Sequence, residues 1–419
     1  MSQHYFRENI TIALIGDHSD HSERFYRYFK LYNFTWRRTI NYNVMNDPNS
    51  MNDDDVDRKL IIQLVGIGAR QCTITNMNKA LMVSDYAIII VESTDDEIMY
   101  QRLRDCIRMV NYSLIDRILL LVDNNRNVKS NDQVYDWIRK VIRKESVVEL
   151  TCEFLNWNSI DKVKDWIHSL PIKIDFDRLA AQPVRIQMLQ TVYSCRLYAT
   201  CHFKVLSGIV HQGEEIYFNT NNGERKFKVE GADYLATFSY EKPKVFLPGN
   251  IFFAPFMKEL IPRSYSHKYK HFLSGNYYSE KIKMIKVDSF WIDYTHFNSD
   301  NINKDIYINQ TCWIFCKSKL FGKIERIQGS GNKLRIGIKI SHRFQTGHDS
   351  LMSQNGFLTT FERDPQFGRV LLARTRREMF GFGNVVSVVY QDKNTNALLI
   401  QHPISLFSKI PKHNYDIYF

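Results

Sequence analysis

The sequence predicts a doubly wound α/β domain followed by all-β sequence folded as two β-barrels. Three observations lead there. Up to about residue 175, short apolar runs alternate with amphipathic stretches. Past residue 178 the helical period vanishes, and short alternating runs punctuated by Gly208, Gly213, Gly223 and Gly249 replace it. A polar, aromatic and basic connector, Ser264–Tyr278, then divides the all-β part in two. A chain of 419 residues with 44% apolar content can build about three domains of ~150 residues. The expected boundaries are 1–175, 178–277 and 278–419.

In the first domain, strands are expected at Ile10–Ile15, Leu60–Val65, Tyr86–Val91, Ile118–Val122 and Val147–Leu150. Each is a nearly continuous apolar run, as a parallel sheet covered on both faces requires. Helices are expected at Glu23–Leu31, Thr73–Met82, Asp96–Val110, Asp132–Arg143 and Ile160–Leu170, the last closed by Pro171. Asn41–Asp57, rich in Asn and Asp, reads as a surface loop. The second domain offers strands at Val184–Val192, Ala199–Leu206, Glu215–Asn219, Lys226–Val229 and Ile251–Phe256. The third offers Lys281–Ile292, Asp305–Phe315, Lys333–Ile340, Gly368–Thr375 and Val385–Tyr390. Spacing of this kind is that of small barrels.

Composition excludes several classes. No apolar run reaches the ~18 residues that span a bilayer, so no membrane role is expected. Arg7 and Glu8 lie where a secretory leader needs an apolar core. Seven cysteines without paired spacing imply free thiols in a reducing, cytoplasmic setting, and the sequons at Asn33, Asn111 and Asn309 are then chance matches. The net charge of +11 is unevenly spread. Residues 1–175 balance to −2, residues 176–277 to +5 and residues 278–419 to +8. A positive field over the all-β part attracts polyphosphate partners, RNA first among them. An ordinary basic surface kept for solubility is the plainer alternative.

The first strand runs into Gly16 and then Asp17-His18-Ser19-Asp20-His21-Ser22-Glu23. A phosphate-binding loop reads G-x-x-x-x-G-K-[ST] between a buried strand and a helix. Here the second glycine is His21, the lysine is Ser22 and the metal-binding hydroxyl is Glu23. Asp17, His18, Asp20 and His21 are residue types that ligate metals, but without a supporting Cys/His pair they read as a polar loop, and no metal is expected. Cys312 and Cys316 read as buried thiols.

Further segments carry a resemblance. Asn76-Met77 leads to Ser84-Asp85-Tyr86-Ala87; Pro183-Val184-Arg185-Ile186 precedes Val205-Leu206-Ser207-Gly208-Ile209-Val210-His211-Gln212-Gly213-Glu214-Glu215; and Phe367-Gly368-Arg369 precedes Arg374, Arg376 and Arg377. Taken in order, these resemble translational GTPases of the elongation factor 1-alpha type across essentially the whole chain. The resemblance implies a P-loop-type, G-like first domain followed by barrel domains II and III. It also implies that the nucleotide motifs are degenerate. The family's D-x-x-G-H falls on Gly66-Ile67-Gly68-Ala69-Arg70, and its guanine-reading N-K-x-D on Asp123-Asn124-Asn125-Arg126. The supporting S-[AG]-x motif falls near Thr151-Cys152-Glu153.

These losses weigh against nucleotide binding. A P-loop aims backbone N–H groups and one ammonium at the phosphates. Replacing the ammonium and adding the Glu23 carboxylate sets like charges together, at roughly 4 kcal/mol per contact near 4 Å, or about three orders of magnitude in affinity. Losing the guanine-reading Asp adds ~1–3 kcal/mol. No cofactor and no catalysis are therefore expected. The resemblance further implies that Arg369, Arg374, Arg376 and Arg377 lie on a tRNA-facing strand, where guanidinium groups suit phosphates. Lys268 and Lys270, beside Tyr269, are a second RNA-binding candidate. The expected protein is a catalytically inactive pseudo-GTPase, monomeric within a larger assembly. Its expected partner is the ribosome, rRNA or tRNA, in occlusion, hibernation or regulation of translation. The alternative is an adaptor on a cytoskeletal or RNA-decay assembly.

Overall fold

The computed structural model describes residues 9–16, 25, 40–46, 61–67, 74–92, 97–123, 130–146, 149–182, 184–193, 198–220, 223–234, 244–257, 276–278, 286–297, 306–316, 319–330, 333–341, 358–365, 367–375, 378–391 and 398–401. The chain divides into two compact units, His4–Ile174 and Asp175–Phe419.

The first unit is the α/β domain. Its strands are β1 (Asn9–Gly16), β2 (Ile40–Asn46), β3 (Ile61–Ile67), β4 (Tyr86–Glu92), β5 (Arg117–Asp123) and β6 (Thr151–Asn156). They form one sheet in the order β2-β3-β1-β4-β5-β6, parallel except for β2 against β3. The described helices are α1 (Ile74–Leu81), α2 (Glu97–Tyr112), α3 (Asn131–Glu145) and α4 (Lys162–His168). Ile12, Leu14, Ile88, Leu119 and Leu121 are buried on one side of the central strands, in a core that includes Phe25, Trp157 and Trp166. Ala13, Ala87, Ile118 and Leu120 are fully buried in alternate positions, so both faces are covered. That is why these strands read as continuous apolar runs.

Local signals fix the helices. Ser130 caps α3 in a reciprocal capping box with Gln133. Buried Arg108 of α2 donates from Nε to Glu145 Oε2 of α3 at 2.7 Å, tying the two helices together. The end of the unit is tied to the amino end of the sheet: Tyr86 donates its hydroxyl to the Pro171 carbonyl, and Lys173 Nζ lies 4.4 Å from the Tyr86 ring centroid while pairing with Asp116. Asp85 beside it accepts from the Thr11 amide at 2.8 Å.

Two expectations for this domain are corrected. Within Asn41–Asp57, residues 41–46 belong to β2, while residues 47–57 lie outside the described residues. An alternation of Ile40, Tyr42 and Val44 with asparagines is enough for an edge strand, and the polar composition hid it. The last strand is Thr151–Asn156, four residues beyond the expected Val147–Leu150. It is exposed or half-buried along its length, so it lacks the apolar run by which an inner strand is found. Of the expected helix Glu23–Leu31 only Phe25, helical and buried, is described.

The second unit opens with α5 (Phe176–Ala180) and the strands β7 (Arg185–Tyr193), β8 (Tyr198–Ser207), β9 (Val210–His211), β10 (Glu215–Thr220) and β11 (Gly223–Lys228). β12 (Asp233–Tyr234), β13 (Val245–Phe246), β14 (Ile251–Met257) and β15 (Asn276–Tyr278) complete the barrel domain. An antiparallel sheet runs β11-β10-β15-β7-β8-β14-β12, and β9 pairs with β13. Phe246 of β13 stacks on Phe252 at 4.3 Å, which brings the small ladder onto the sheet's aromatic core. The last residues of the expected connector, 276–278, are thus a strand of this sheet. Gly208 follows β8 with φ +71°, and its amide donates to Leu179 O of α5 at 2.8 Å. A Cβ there would come within 2.5 Å of the Val184 Cα, so only glycine fits.

The third domain consists of β16 (Lys286–His296), β17 (Thr311–Phe315), β18 (Lys319–Ser330), β19 (Lys333–Ile340), β20 (Arg369–Ala373), β21 (Met379–Gln391) and β22 (Leu398–Gln401). The order β16-β19-β18-β17-β20-β21 returns to β16, closing a six-stranded antiparallel barrel. Phe290, Ile292, Ile314, Ile324, Ile336, Val370 and Leu372 fill it. β18 was absent from the sequence expectations: Gly322 interrupts its apolar pattern, and a bulge at Glu325 shifts its period. Gly322 is required because a Cβ would stand 2.8 Å from the Lys339 backbone carbonyl oxygen.

Gly208→Ala should destabilise the second unit by roughly 3 kcal/mol, from a left-handed φ plus a backbone clash, measurable by urea denaturation. Burial, with Asp85 and Asp116 adding, pushes the Tyr86 hydroxyl up to about 12. A raised folded pKa gives stability that is full below pH ~10 and lost as pH rises toward 12. Tyr86→Phe should cost about 1 kcal/mol at pH 7 and flatten the loss of stability between pH 10 and 12.

Candidate functional site

In a doubly wound sheet, ligands bind outside the carboxyl ends of the strands where strand order reverses. That point is β1, with β3 and β2 on one side and β4, β5 and β6 on the other. At this edge Gly16 lies opposite Ile90, Glu92 opposite Asp123, and Val122 opposite Asn156. Gly66 lies in β3 opposite Leu14, one residue short of the strand end. The topology therefore brings Gly16, Gly66 and Asp123 to one edge. His21, Ser22, Glu23, Arg70 and Arg126 lie outside the described residues.

Two residues at this edge escaped the sequence reading. Glu92 ends β4, half-buried, directly beside Asp123, which ends β5 and is buried. Its signal was available: an acid terminating the apolar run Tyr86–Val91. Asn156 ends β6, and its Oδ1 accepts from the Asn158 amide at 2.9 Å, turning the chain into the short helix 157–159. The placement of a base-supporting motif at Thr151–Glu153 is corrected by the same geometry. Thr151 pairs with Arg117 at the amino end of the sheet, opposite to the ligand edge. Glu153 is engaged there by Arg117 Nη2 at 2.6 Å and by Trp166 Nε1 at 3.1 Å.

Chemically, the described part of the edge carries two neighbouring carboxylates, one amide and no cation. No group of three or more His, Cys, Asp or Glu among the described residues is arranged to hold a metal. None of the described helices is long and apolar enough to cross a membrane.

The arginine candidates divide. Arg369 is a correction: it is buried, with Nε 2.9 Å from Asn384 Oδ1 and its guanidinium 4.9 Å from the Phe361 ring and 5.7 Å from that of Phe382. Its hydrogen bond and both ring faces are used inside the domain, so it faces no phosphate. Arg374 is half-buried and pairs with Glu378 at 3.0 Å. Arg376, Arg377, Lys268 and Lys270 lie outside the described residues. Gly368 beside Arg369 is also structural, since a Cβ would meet Phe361 Cα at 2.2 Å. Arg185 plays a similar part, buried with its guanidinium 5.8 Å from the Phe367 ring, so that it joins the two barrels. The motifs Gly208 and Gly368-Arg369 thus mark packing, not contact.

The sheet ordered β2-β3-β1-β4-β5-β6, parallel but for β2, is followed by two all-β domains. Three solved structures share this fold. Translation elongation factor SelB from Methanococcus maripaludis, in complex with the GTP analogue GPPNHP, is similar with a TM-score of 0.63 at 13% identity, covering 91% of this chain and 80% of SelB. A bacterial selenocysteine-specific elongation factor, EF-Sec, gives 0.58 at 13% identity over 90% of this chain, which spans only 58% of that protein. The S. cerevisiae Ski7 GTPase-like domain, bound to GTP, gives 0.58 at 12% identity over 91% of this chain and 98% of the domain. No protein-family model and no curated protein matches the sequence itself.

Arg369→Ala should lower stability by about 3 kcal/mol, through lost ring packing and an unpaired Asn384. Arg374→Ala should stay within about 0.5 kcal/mol. Parallel thermal melts of the two variants check this contrast.

Proposed function

We propose that this chain is a non-cycling relative of the translational GTPases, a pseudo-GTPase that binds the ribosome through charge and shape. It would act there as an occluding, hibernation or regulatory factor. One combination carries the reading. The elongation-factor-like fold extends over 91% of the chain, while motif spacing in the sequence sets His21, Ser22, Glu23, Arg70, Asp123 and Arg126 where nucleotide-contacting residues are expected.

The energetics support it. A switch GTPase turns γ-phosphate contacts into ordered loops and domain rotation. A ligand shifts such an equilibrium only by its differential affinity for the two states. With Ser22 where a phosphate-binding loop has its lysine and Glu23 where it has its metal-binding hydroxyl, phosphate binding is opposed. A body without that switch suits a plug or scaffold. The charge distribution agrees: +13 over residues 176–419 against −2 over residues 1–175 gives a basic body for rRNA or tRNA.

Sedimentation of cell lysate through a low-salt sucrose gradient tests the reading. The protein should travel with ribosomal particles, shift to the top after RNase or high salt, and ignore added GTP. A protein that stays at the top in low salt contradicts it and leaves the alternative, an adaptor on a cytoskeletal or RNA-decay assembly.

A further inference from the structure

The outer face of the third-domain barrel carries an arrangement that folding does not explain. Lys323 of β18 and Lys339 of β19 are directly opposed in the antiparallel ladder, and both are exposed. Like charges directly across a ladder are destabilising. The nearest acid to Lys339 is Asp288, with 3.9 Å between Nζ and Oδ2, and Lys323 has no ion-pair partner among the described residues. Two rows of side chains flank the pair. On one side Trp313 of β17 and Phe321 of β18 are opposed and half-buried, their rings edge to face at 5.1 Å. On the other side lies the row Arg326, Gly337, Trp291 across β18, β19 and β16.

Gly337 explains the position of Trp291. A Cβ at Gly337 would stand 3.1–3.3 Å from three atoms of the indole, so the ring lies over the glycine on the outer face. One indole face meets the strand and the half-buried ring leaves the other turned outward. Exposed Arg326 stands in the same row. Rows on one face of a strand repeat every ~6.8 Å, so rings and cations alternate across the patch. Arg335 in the next row pairs with Asp293 at 2.8 Å, so the patch sets Lys323, Lys339 and Arg326 against Asp288 beside Lys339 and exposed Glu325 at the bulge.

We propose that this face binds single-stranded RNA, with phosphates bridging Lys323 and Lys339 and bases stacking on Trp291 and on the Trp313–Phe321 pair. A phosphate between the lysines converts their repulsion into two charge-assisted contacts. Indole and phenyl rings accept any base face at ~1–3 kcal/mol per stack, which makes the surface tolerant of sequence. The site rests on the reading of the chain as an RNA-directed body, and it names the surface that does the work.

The test uses the full chain and a short, unstructured, fluorescein-labelled RNA, followed by anisotropy across a KCl series. Lys323→Glu with Lys339→Glu should weaken binding about tenfold or more, and flatten the slope of log affinity on log salt by about 1.4, from ~0.7 per lost phosphate contact. Lys323→Glu alone should weaken RNA binding while raising the melting temperature by ~2 °C, because an opposite-charge pair replaces a like-charge one. Trp291→Ala should cost about tenfold for single strands and much less for duplex, with Trp291→Phe recovering most of the loss. If wild-type protein binds RNA and the double lysine variant matches it in affinity and salt slope, this surface is wrong and the broader reading survives. If the wild type binds no single-stranded RNA at low salt, this proposal falls, while the ribosome reading stands or falls on the gradient. If duplex binds as well as single strands and Trp291→Ala changes nothing, the stacking role is overturned.

Discussion

Burial of β1, β4 and β5 on both faces is the constraint on which the α/β unit depends. Ile12, Ala13, Leu14, Ile88, Leu119 and Leu120 are fully removed from water. Burying each large aliphatic side chain contributes about 1.5–3 kcal/mol. A strand covered on both sides cannot slip by a residue without losing that packing. The positions of Gly16, Glu92, Asp123 and Asn156 along the carboxyl edge follow from the apolar residues beneath them, whatever those four residues are. A ligand edge can therefore change its chemistry while its geometry persists. That separation makes a GTPase-type architecture compatible with the proposed loss of nucleotide control.

The barrels obey a comparable rule with different residues. Gly208 permits the close approach of Val184, Gly368 permits that of Phe361, Arg185 packs against the Phe367 ring, and Arg369 packs against those of Phe361 and Phe382. These positions define shape. Contact with a partner must come from side chains that the packing does not consume, and the lysine–indole face of the third domain is where such side chains gather. Folding alone would favour an opposite charge at one of the two lysine positions.

Inner strands were legible in the sequence because two-sided burial demands consecutive apolar residues. Edge elements were not: β2 hid in asparagine-rich sequence, and β6 was displaced because half-buried positions leave little periodic signal. β18 escaped because Gly322 and the bulge at Glu325 break the two-residue period that marks a strand. Motif spacing set Gly16, Gly66 and Asp123 at the carboxyl ends of their strands, where the sheet register places them. Glu92 was missed because no motif covers it, and only the β4–β5 register sets it beside Asp123. Arg369 was misread for a related reason. A guanidinium serves a buried ring stack as well as a phosphate, and sequence carries no sign of which one it meets.

Thermal denaturation of the full chain with and without millimolar GTP or GDP and magnesium separates a fixed body from a switch. A nucleotide present at about 100 times its dissociation constant stabilises the state it binds by ~2.7 kcal/mol, which moves the melting temperature by several degrees. A non-cycling body predicts coincident curves with either nucleotide. A reproducible rise with GTP or GDP would show that the protein binds nucleotide, and would contradict the account.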